Sequence, residues 1–314
     1  MRVMVVGASG AIGSRLVRQL IEAGHEVIGT FSSPGKADRV RELGAQPVAV
    51  DLLDASAVHK AVTTAQPDAI IHEATALANA GFSRSLDRGF AQTNRLRTEG
   101  TDNLLAAARE AGVRRLVAQS FAPYRYIREG GPVKTEDDPL DPDPPKTARQ
   151  TFAAMDHVDQ AFWAAGGVVL RYGAFYGTPD AVTKAIGKRQ YPMLGPGTGI
   201  MPFIHLHDAA SATVLALEHD GPALYNITDD DGAPMSEWLP ALASALGAKR
   251  PFRVPVWLGT VILGGEMIQM SLGCRGASNA KAKRELGWTL RYPSWREGFP
   301  ASYQQHAEKV KAAS

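Results

Sequence analysis

Along the first half of the chain, short apolar runs alternate with stretches of helical period. Val3–Val6 is unbroken apolar sequence and reads as a buried strand, whereas Ser14–Ala23 places apolar residues every three or four positions and reads as a helix ended by Gly24. The same reasoning predicts strands over Val27–Phe31, Pro47–Val50, Ala69–Ala74, Arg115–Ser120 and Val168–Tyr172. Between them it predicts helices over Lys36–Leu43, Ala55–Thr64, Phe90–Ala111 and Gln150–Ala164. Alternation of this kind builds βαβ units with right-handed crossovers, so the expected class is α/β with a doubly wound parallel sheet of the Rossmann type.

Two stretches break the pattern. Gly130–Pro145 is too rich in proline and acid for a helix and is expected to be a surface loop. From about Pro179 glycine and proline become denser and strict alternation ends. The expected organisation is a dinucleotide-binding domain over residues 1–177, rejoined by 203–228. Residues 178–202 and 229–314 form a smaller C-terminal substrate lobe.

Composition narrows the function classes. With 34 basic and 32 acidic residues the net charge is +2, and no lysine or arginine block stands out. That argues against nucleic acid or an anionic membrane as the main partner and leaves a small-molecule substrate. The single cysteine, Cys274, cannot form an intrachain disulfide and reads as an inert buried thiol. The first apolar run is too short for a signal peptide, and Val254–Leu272 is interrupted by Pro255, Glu266 and Gln269. A soluble cytoplasmic protein is expected.

The opening strand breaks into Gly7-Ala8-Ser9-Gly10-Ala11-Ile12-Gly13 before the first helix. Gly7 permits a sharp reversal, Gly10 lets backbone approach a phosphate, and Gly13 lets helix and strand pack closely. The helix N-terminus offers free N–H groups to an anion. Strand, turn and helix in this order point to a dinucleotide, with Gly7, Ser9, Gly10, Ala11, Ile12 and Gly13 around its pyrophosphate.

Further motifs follow in order: Val50-Asp51-Leu52, His72-Glu73-Ala74, Asn94 with Gly100-Thr101, Ser120 with Tyr124, Leu170–Gly177, Phe203–Ala210 and Ala282–Trp288. Together they resemble the extended short-chain dehydrogenase/reductase family, the NAD-dependent epimerase/dehydratase-like group, over nearly the whole chain. The resemblance implies that Asp51 and Leu52 meet the adenine side. It also implies that Ala74 and Asn94 lie along the cofactor, and that Tyr172 and Phe175 flank the nicotinamide. A homodimer through the central helices is implied as well.

The chain departs from the family at one place. The family carries Tyr-x-x-x-Lys on the helix after the proline-rich loop, two side chains on one helical face. There the lysine holds the nicotinamide ribose and lowers the tyrosine pKa, and the tyrosine exchanges the substrate's proton. Here Thr151 and Met155 stand in those places, Asp159 follows, and Gln150–Gln160 contains neither tyrosine nor lysine. The candidate catalytic set is therefore Ser120, which would orient a substrate oxygen, Tyr124 as substitute acid, and Thr151, whose hydroxyl is a weak acid. Tyr126 and Tyr176 are secondary candidates. His157 should face away from the cofactor, Lys146 and Arg149 should be solvated, and His205 and His207, alternating on a strand, are not expected to hold a metal.

The end of the second strand carries Ser32 and Lys36 and no acid. An acid there would bind a ribose 2′-OH and repel a 2′-phosphate, so NADP is expected, with NAD as the alternative. The stretch before Phe203 lacks an arginine for a nucleotide-sugar diphosphate. Trp257, Ile262, Met267 and Met270 form either an apolar pocket wall or lobe core. The resulting expectation is an atypical NAD(P)-dependent oxidoreductase or redox isomerase acting on a small, fairly apolar carbonyl or hydroxyl compound. The competing expectation is a non-catalytic NADP-binding sensor of the same fold.

Overall fold

The computed structural model describes residues 1–77 and 85–312. Seven parallel strands form one sheet: β1 (Arg2–Val6), β2 (Glu26–Phe31), β3 (Gln46–Ala49), β4 (Ala69–His72), β5 (Arg115–Phe121), β6 (Val168–Tyr172) and β7 (Ala223–Ile227). Their spatial order is β7-β6-β5-β4-β1-β2-β3. The order reverses between β4 and β1, and ligands of open α/β sheets bind beyond the strand C-termini at such a point.

The central strands are apolar on both sides because both faces are covered. One face packs the Gly13–Glu22 and Leu206–Ala216 helices through Leu16, Val17, Leu20, Ala209 and Ala212. The other face packs the Ala55–Ala65, Thr101–Glu110 and Arg149–Ala164 helices through Val58, Val62, Leu104, Val158 and Phe162. A separate aromatic cluster of Tyr176, Phe203, Trp238, Trp295, Phe299 and Tyr303 lies beside the sheet and ties the later segments together.

Several expected elements differ in detail. The long helix over Phe90–Ala111 is broken into Ala91–Arg95, a widened π turn over Leu96–Gly100, and Thr101–Glu110. The buried residues Asn94, Arg97, Thr101, Leu104 and Ala108 keep a spacing of three and four, so the sequence carries no mark of the wider turn. β4 stops at His72, and Glu73 leaves the sheet while its N–H still donates to Val6 O. His205 and His207 do not share a strand. His205 ends a three-residue strand and caps the next helix, its Nδ1 accepting from His207 N–H at 3.0 Å.

The Gly130–Pro145 segment is anchored more firmly than a free surface loop. Val133–Lys134 pairs with Gly276–Ala277, Tyr126 bridges Leu140, and Glu136 accepts the Asn226 N–H at 2.7 Å. The Val254–Leu272 stretch splits at Gly264 into two helices. Trp257 and Ile262 point outward, at 69% and 44% exposure, while Met270 is buried. The outward pair is therefore not lobe core, contrary to one of the two sequence expectations.

Asp208 joins the C-terminal segment to the sheet. It is buried, and its carboxylate accepts the N–H groups of Arg291 and Tyr292 at 2.9 and 2.8 Å. Asp208→Ala leaves both donors unpaired and should lower unfolding stability by about 2–3 kcal/mol in urea titration. An unchanged midpoint would show that water replaces the carboxylate.

Candidate functional site

The glycine turn is as tight as the sequence suggests. Gly7 has φ of 94°, and a Cβ there would lie 3.0 Å from the Ala74 N and Cα atoms. A Cβ on Gly13 would overlap the Gly7 carbonyl oxygen. No side chain caps the Gly13–Glu22 helix and its first turn carries no acid, whereas Asp54 and Asp180 cap other helices. Uncapped N–H groups over a turn with glycine at positions 7, 10 and 13 fit a dinucleotide pyrophosphate. Ser9 and Ile12 are buried within this turn, while Gly10 and Ala11 are exposed on it.

Other expected cofactor contacts surround it. Ser32 and Lys36 are exposed beyond β2. Asp51 is held by the Leu53 N–H at 3.0 Å, and the Leu52 carbonyl accepts from Asn103 at 2.9 Å. Phe175 packs its ring 5.2 Å from that of Tyr172. The Tyr172 hydroxyl itself turns away from the turn. It donates to Glu73 Oε1 at 2.9 Å and meets Thr213 Oγ1 at 2.6 Å.

Strand register explains how the catalytic-side groups divide. His72 pairs Ala118, and Ser120 pairs Arg171, so His72, Ser120 and Arg171 share the face covered by the Arg149–Ala164 helix. Glu73 and Tyr172, each one residue later, fall on the opposite face. That face is otherwise apolar, and burial pushes the Glu73 carboxyl up to about 8 despite the Tyr172 hydrogen bond.

On the Ser120 face the helix presents Thr151, Met155 and Asp159 along one buried stripe. Thr151 donates its hydroxyl to Asp87 at 2.8 Å and accepts from the Asn94 amide at 3.1 Å. Its single proton is thereby committed, and Thr151 positions the helix start. Asn94 reaches Thr151, so it stands beside the family's tyrosine place. Ser120 Oγ accepts from Arg125 Nη1 at 2.9 Å, which leaves the serine hydrogen free to donate. The same Nη1 donates to Asp159 at 3.0 Å, Arg125 also pairs with Asp156, and Arg171 meets Asp159 at 2.8–2.9 Å.

Tyr124 sits at φ 67°, a strained backbone for a bulky residue. Its ring packs, as Leu86 and Met267 do, against the buried cluster of Ala148, Phe152 and Met270, and burial holds its phenol well above the ordinary value. Among the described residues no cation stands within hydrogen-bond reach to lower it. The secondary candidates are occupied elsewhere. Tyr126 bonds Asn226 and Arg171, Tyr176 lies in the aromatic cluster, and His157 meets Asp102 at 2.7 Å near the surface. Arg149 pairs with Asp143, and the Lys146 N–H donates to Glu266. Burial raises the Cys274 thiol to about 12, which makes it inert.

Sequence reasoning missed Glu73, Arg97 and Arg125. Arg97 carried a signal, since it falls on the buried positions of its own helical period, between Asn94 and Thr101. Arg125 carried none, because only the fold brings it under Ser120.

A family model described as "NAD dependent epimerase/dehydratase family" matches residues 3–228. A "3-diazoavenalumate denitrifying reductase" from Streptomyces sp is 39% identical over 311 residues, covering 95% of this chain and 99% of that protein. The structure of UDP-glucose 4-epimerase from Thermotoga maritima with UDP-glucose superposes with TM-score 0.79 at 21% identity, covering 99% and 100% of the two chains. The enzyme of the same name from Thermus thermophilus, in complex with NAD, gives TM-score 0.74 at 25% identity over 98% and 99%.

Two outcomes test this geometry. Gly13→Ala should abolish binding of the dinucleotide in calorimetric titration, and binding at the native affinity would remove the turn from the site. Glu73 has a folded pKa above its ordinary 4.5, so the native state holds the extra proton. Stability should therefore fall as pH rises from about 4.5 towards 8. Glu73→Gln should melt like the native protein near pH 5 and higher than it near pH 8. Parallel melting curves would place Glu73 in a solvated setting.

Proposed function

The chain belongs to the NAD-dependent epimerase/dehydratase family, and we propose that it is an NADPH-dependent reductase that removes dinitrogen from an aryl diazo compound. The observation that carries this reading is the stripe Thr151–Met155–Asp159, which holds neither the phenol nor the ammonium with which the family moves a proton. It gains support from the 39% identity, over almost the full length of both chains, to a protein named as a denitrifying reductase of a diazo compound.

Reduction of a carbonyl leaves an alkoxide that must be protonated, and an aligned acid contributes about 10²–10⁴-fold to such a step. An aryl diazonium makes no such demand. A hydride joins the ring carbon, the C–N bond breaks, and its electron pair leaves with dinitrogen. Charge balances and no proton is exchanged. When bound in its reduced form, the nicotinamide cofactor supplies that hydride.

The residues divide the remaining work. Gly7, Ser9, Gly10, Ala11, Ile12 and Gly13 hold the pyrophosphate, with Asp51 and Leu52 towards the adenine. Ser32 and Lys36 accept the 2′-phosphate that selects NADP. Ser120, its oxygen fixed by Arg125 and its hydrogen free, orients an oxygen of the substrate. Tyr124, Phe152, Met267 and Met270 form an apolar wall suited to an aromatic ring. This favours an aryl compound over the simple carbonyl expected from the sequence.

Purified protein should oxidise NADPH in the presence of a diazotised 2-aminophenol and release dinitrogen, followed by mass spectrometry with ¹⁵N-labelled diazo group. Deuterium from the reduced nicotinamide C4 should appear on the aryl carbon. NADPH oxidation with simple ketones but not with the diazo compound would overturn the reading. Tight cofactor binding with no turnover of either would favour the sensor.

Two variants sharpen the test. Tyr124→Phe should keep kcat within about threefold of native, whereas a fall of about 10²-fold or more would assign the phenol a proton-transfer role. Lys36→Ala should weaken NADPH binding about three- to tenfold and leave NADH unaffected, as expected for loss of one exposed charge on a phosphate. Equal loss for both cofactors would remove the NADP assignment.

A further inference from the structure

The π turn over Leu96–Gly100 buries a guanidinium with nothing to hold. Arg97 is 5% exposed, yet among the described residues it makes no hydrogen bond, ion pair or ring contact, and its Nη1 is fully enclosed. Two other buried arginines of this chain meet acceptors: Arg125 with Ser120, Asp156 and Asp159, though its Nε has no partner among the described residues, and Arg171 with Asp159 and Tyr126. A buried cation without an acceptor is costly, and the unused N–H donors of the enclosed Nη1 add to the cost.

Among the described residues none forms an ion pair with Arg97. The titratable groups that act on Arg97 are Arg125, which repels it, and Asp159, whose opposing effect is smaller and which is already shared by two arginines. His72, on the strand end beside it, is held neutral by burial with its pKa near 4. Three arginines thus face Asp159 and the half-exposed Asp156, a surplus of positive charge. All of this lies at the C-terminal ends of β4 and β5, on the Ser120 face. The glycine turn, which takes the pyrophosphate, stands at the end of β1, so the cofactor's phosphates engage a different part of the sheet edge.

We propose that Arg97 is the seat of an anionic oxygen group on the substrate, a carboxylate or a phenolate. The proposal deepens the reductase reading and rests on the cleft being its substrate site. An anion entering here gains a guanidinium that is already desolvated and oriented, which favours a planar, bidentate partner. It also accounts for keeping an arginine at a buried helical position that any apolar residue would fill at lower cost.

The test uses ligands that need no turnover. With saturating NADP, binding of cinnamate (carboxylate only), methyl 4-hydroxycinnamate (phenol only) and 4-hydroxycinnamate is measured by calorimetry on the native protein and on Arg97→Met. At least one anionic group should confer binding that falls about tenfold or more in the variant. Which of the two single-group ligands loses affinity identifies the group. Arg97→Met should also melt higher than the native protein without ligand, because an unpaired buried charge has been removed. Equal affinities of every ligand for both proteins, or a variant that melts lower, would overturn the proposal. Dinitrogen release that is insensitive to Arg97 would overturn this assignment alone. Anion binding that depends on Arg97, without any diazo turnover, would overturn the reductase reading and leave the subsite standing.

Discussion

Asp159 is the point on which the Ser120 face of this molecule turns. One buried carboxylate on the Arg149–Ala164 helix accepts from Arg171 on β6 and from Arg125 beyond β5. It fixes the helix against the sheet, and through Arg125 it fixes the Ser120 oxygen. Removing either partner of such a pair leaves an uncompensated buried charge, which costs several kcal/mol, about 3–5 in comparable cases. The arrangement is therefore held as a unit. Its donors and acceptors are set before any substrate arrives, so little reorganisation is left for binding.

That constraint shapes what chemistry the site can host. A guanidinium beside a serine stabilises negative charge on oxygen but does not give up a proton near neutral pH. The helix stripe that would carry a proton donor holds Thr151, tied to Asp87, and Met155, which has no donor. A site rich in fixed positive charge and poor in acids suits an anionic oxygen on a bound molecule and a reaction that needs no proton from the protein. The apolar wall of Phe152, Met267, Met270 and Tyr124 adds aromatic shape to that electrostatic preference.

The opposite face of the sheet is organised on different terms. Glu73 lies among apolar helices and keeps its proton because charging it there is costly. Its Oε1 accepts from Tyr172, whose hydroxyl also meets Thr213, while Oε2 has no partner among the described residues. Two carboxyls on neighbouring elements, Glu73 and Asp159, thus sit in opposite electrostatic settings because one residue of register separates their faces.

Local pattern and turn chemistry were enough to determine the parallel α/β class, the glycine turn and the strand ends that frame the cleft. Apolar periodicity and backbone freedom at Gly7, Gly10 and Gly13 are properties of adjacent residues. The absence of tyrosine and lysine from Gln150–Gln160 was equally plain in the sequence. The wider turn at Leu96–Gly100 was not, because its buried positions keep an ordinary helical spacing. Nor was the outward turn of Trp257 and Ile262, since helical period alone does not say which side a neighbour covers. The commitments of Thr151, Ser120 and Tyr172 were decided by partners 5 to 99 residues away. Tertiary structure alone set Arg125 beneath Ser120 and left Arg97 without an acceptor among the described residues, since burial and charge pairing depend on what the fold brings alongside.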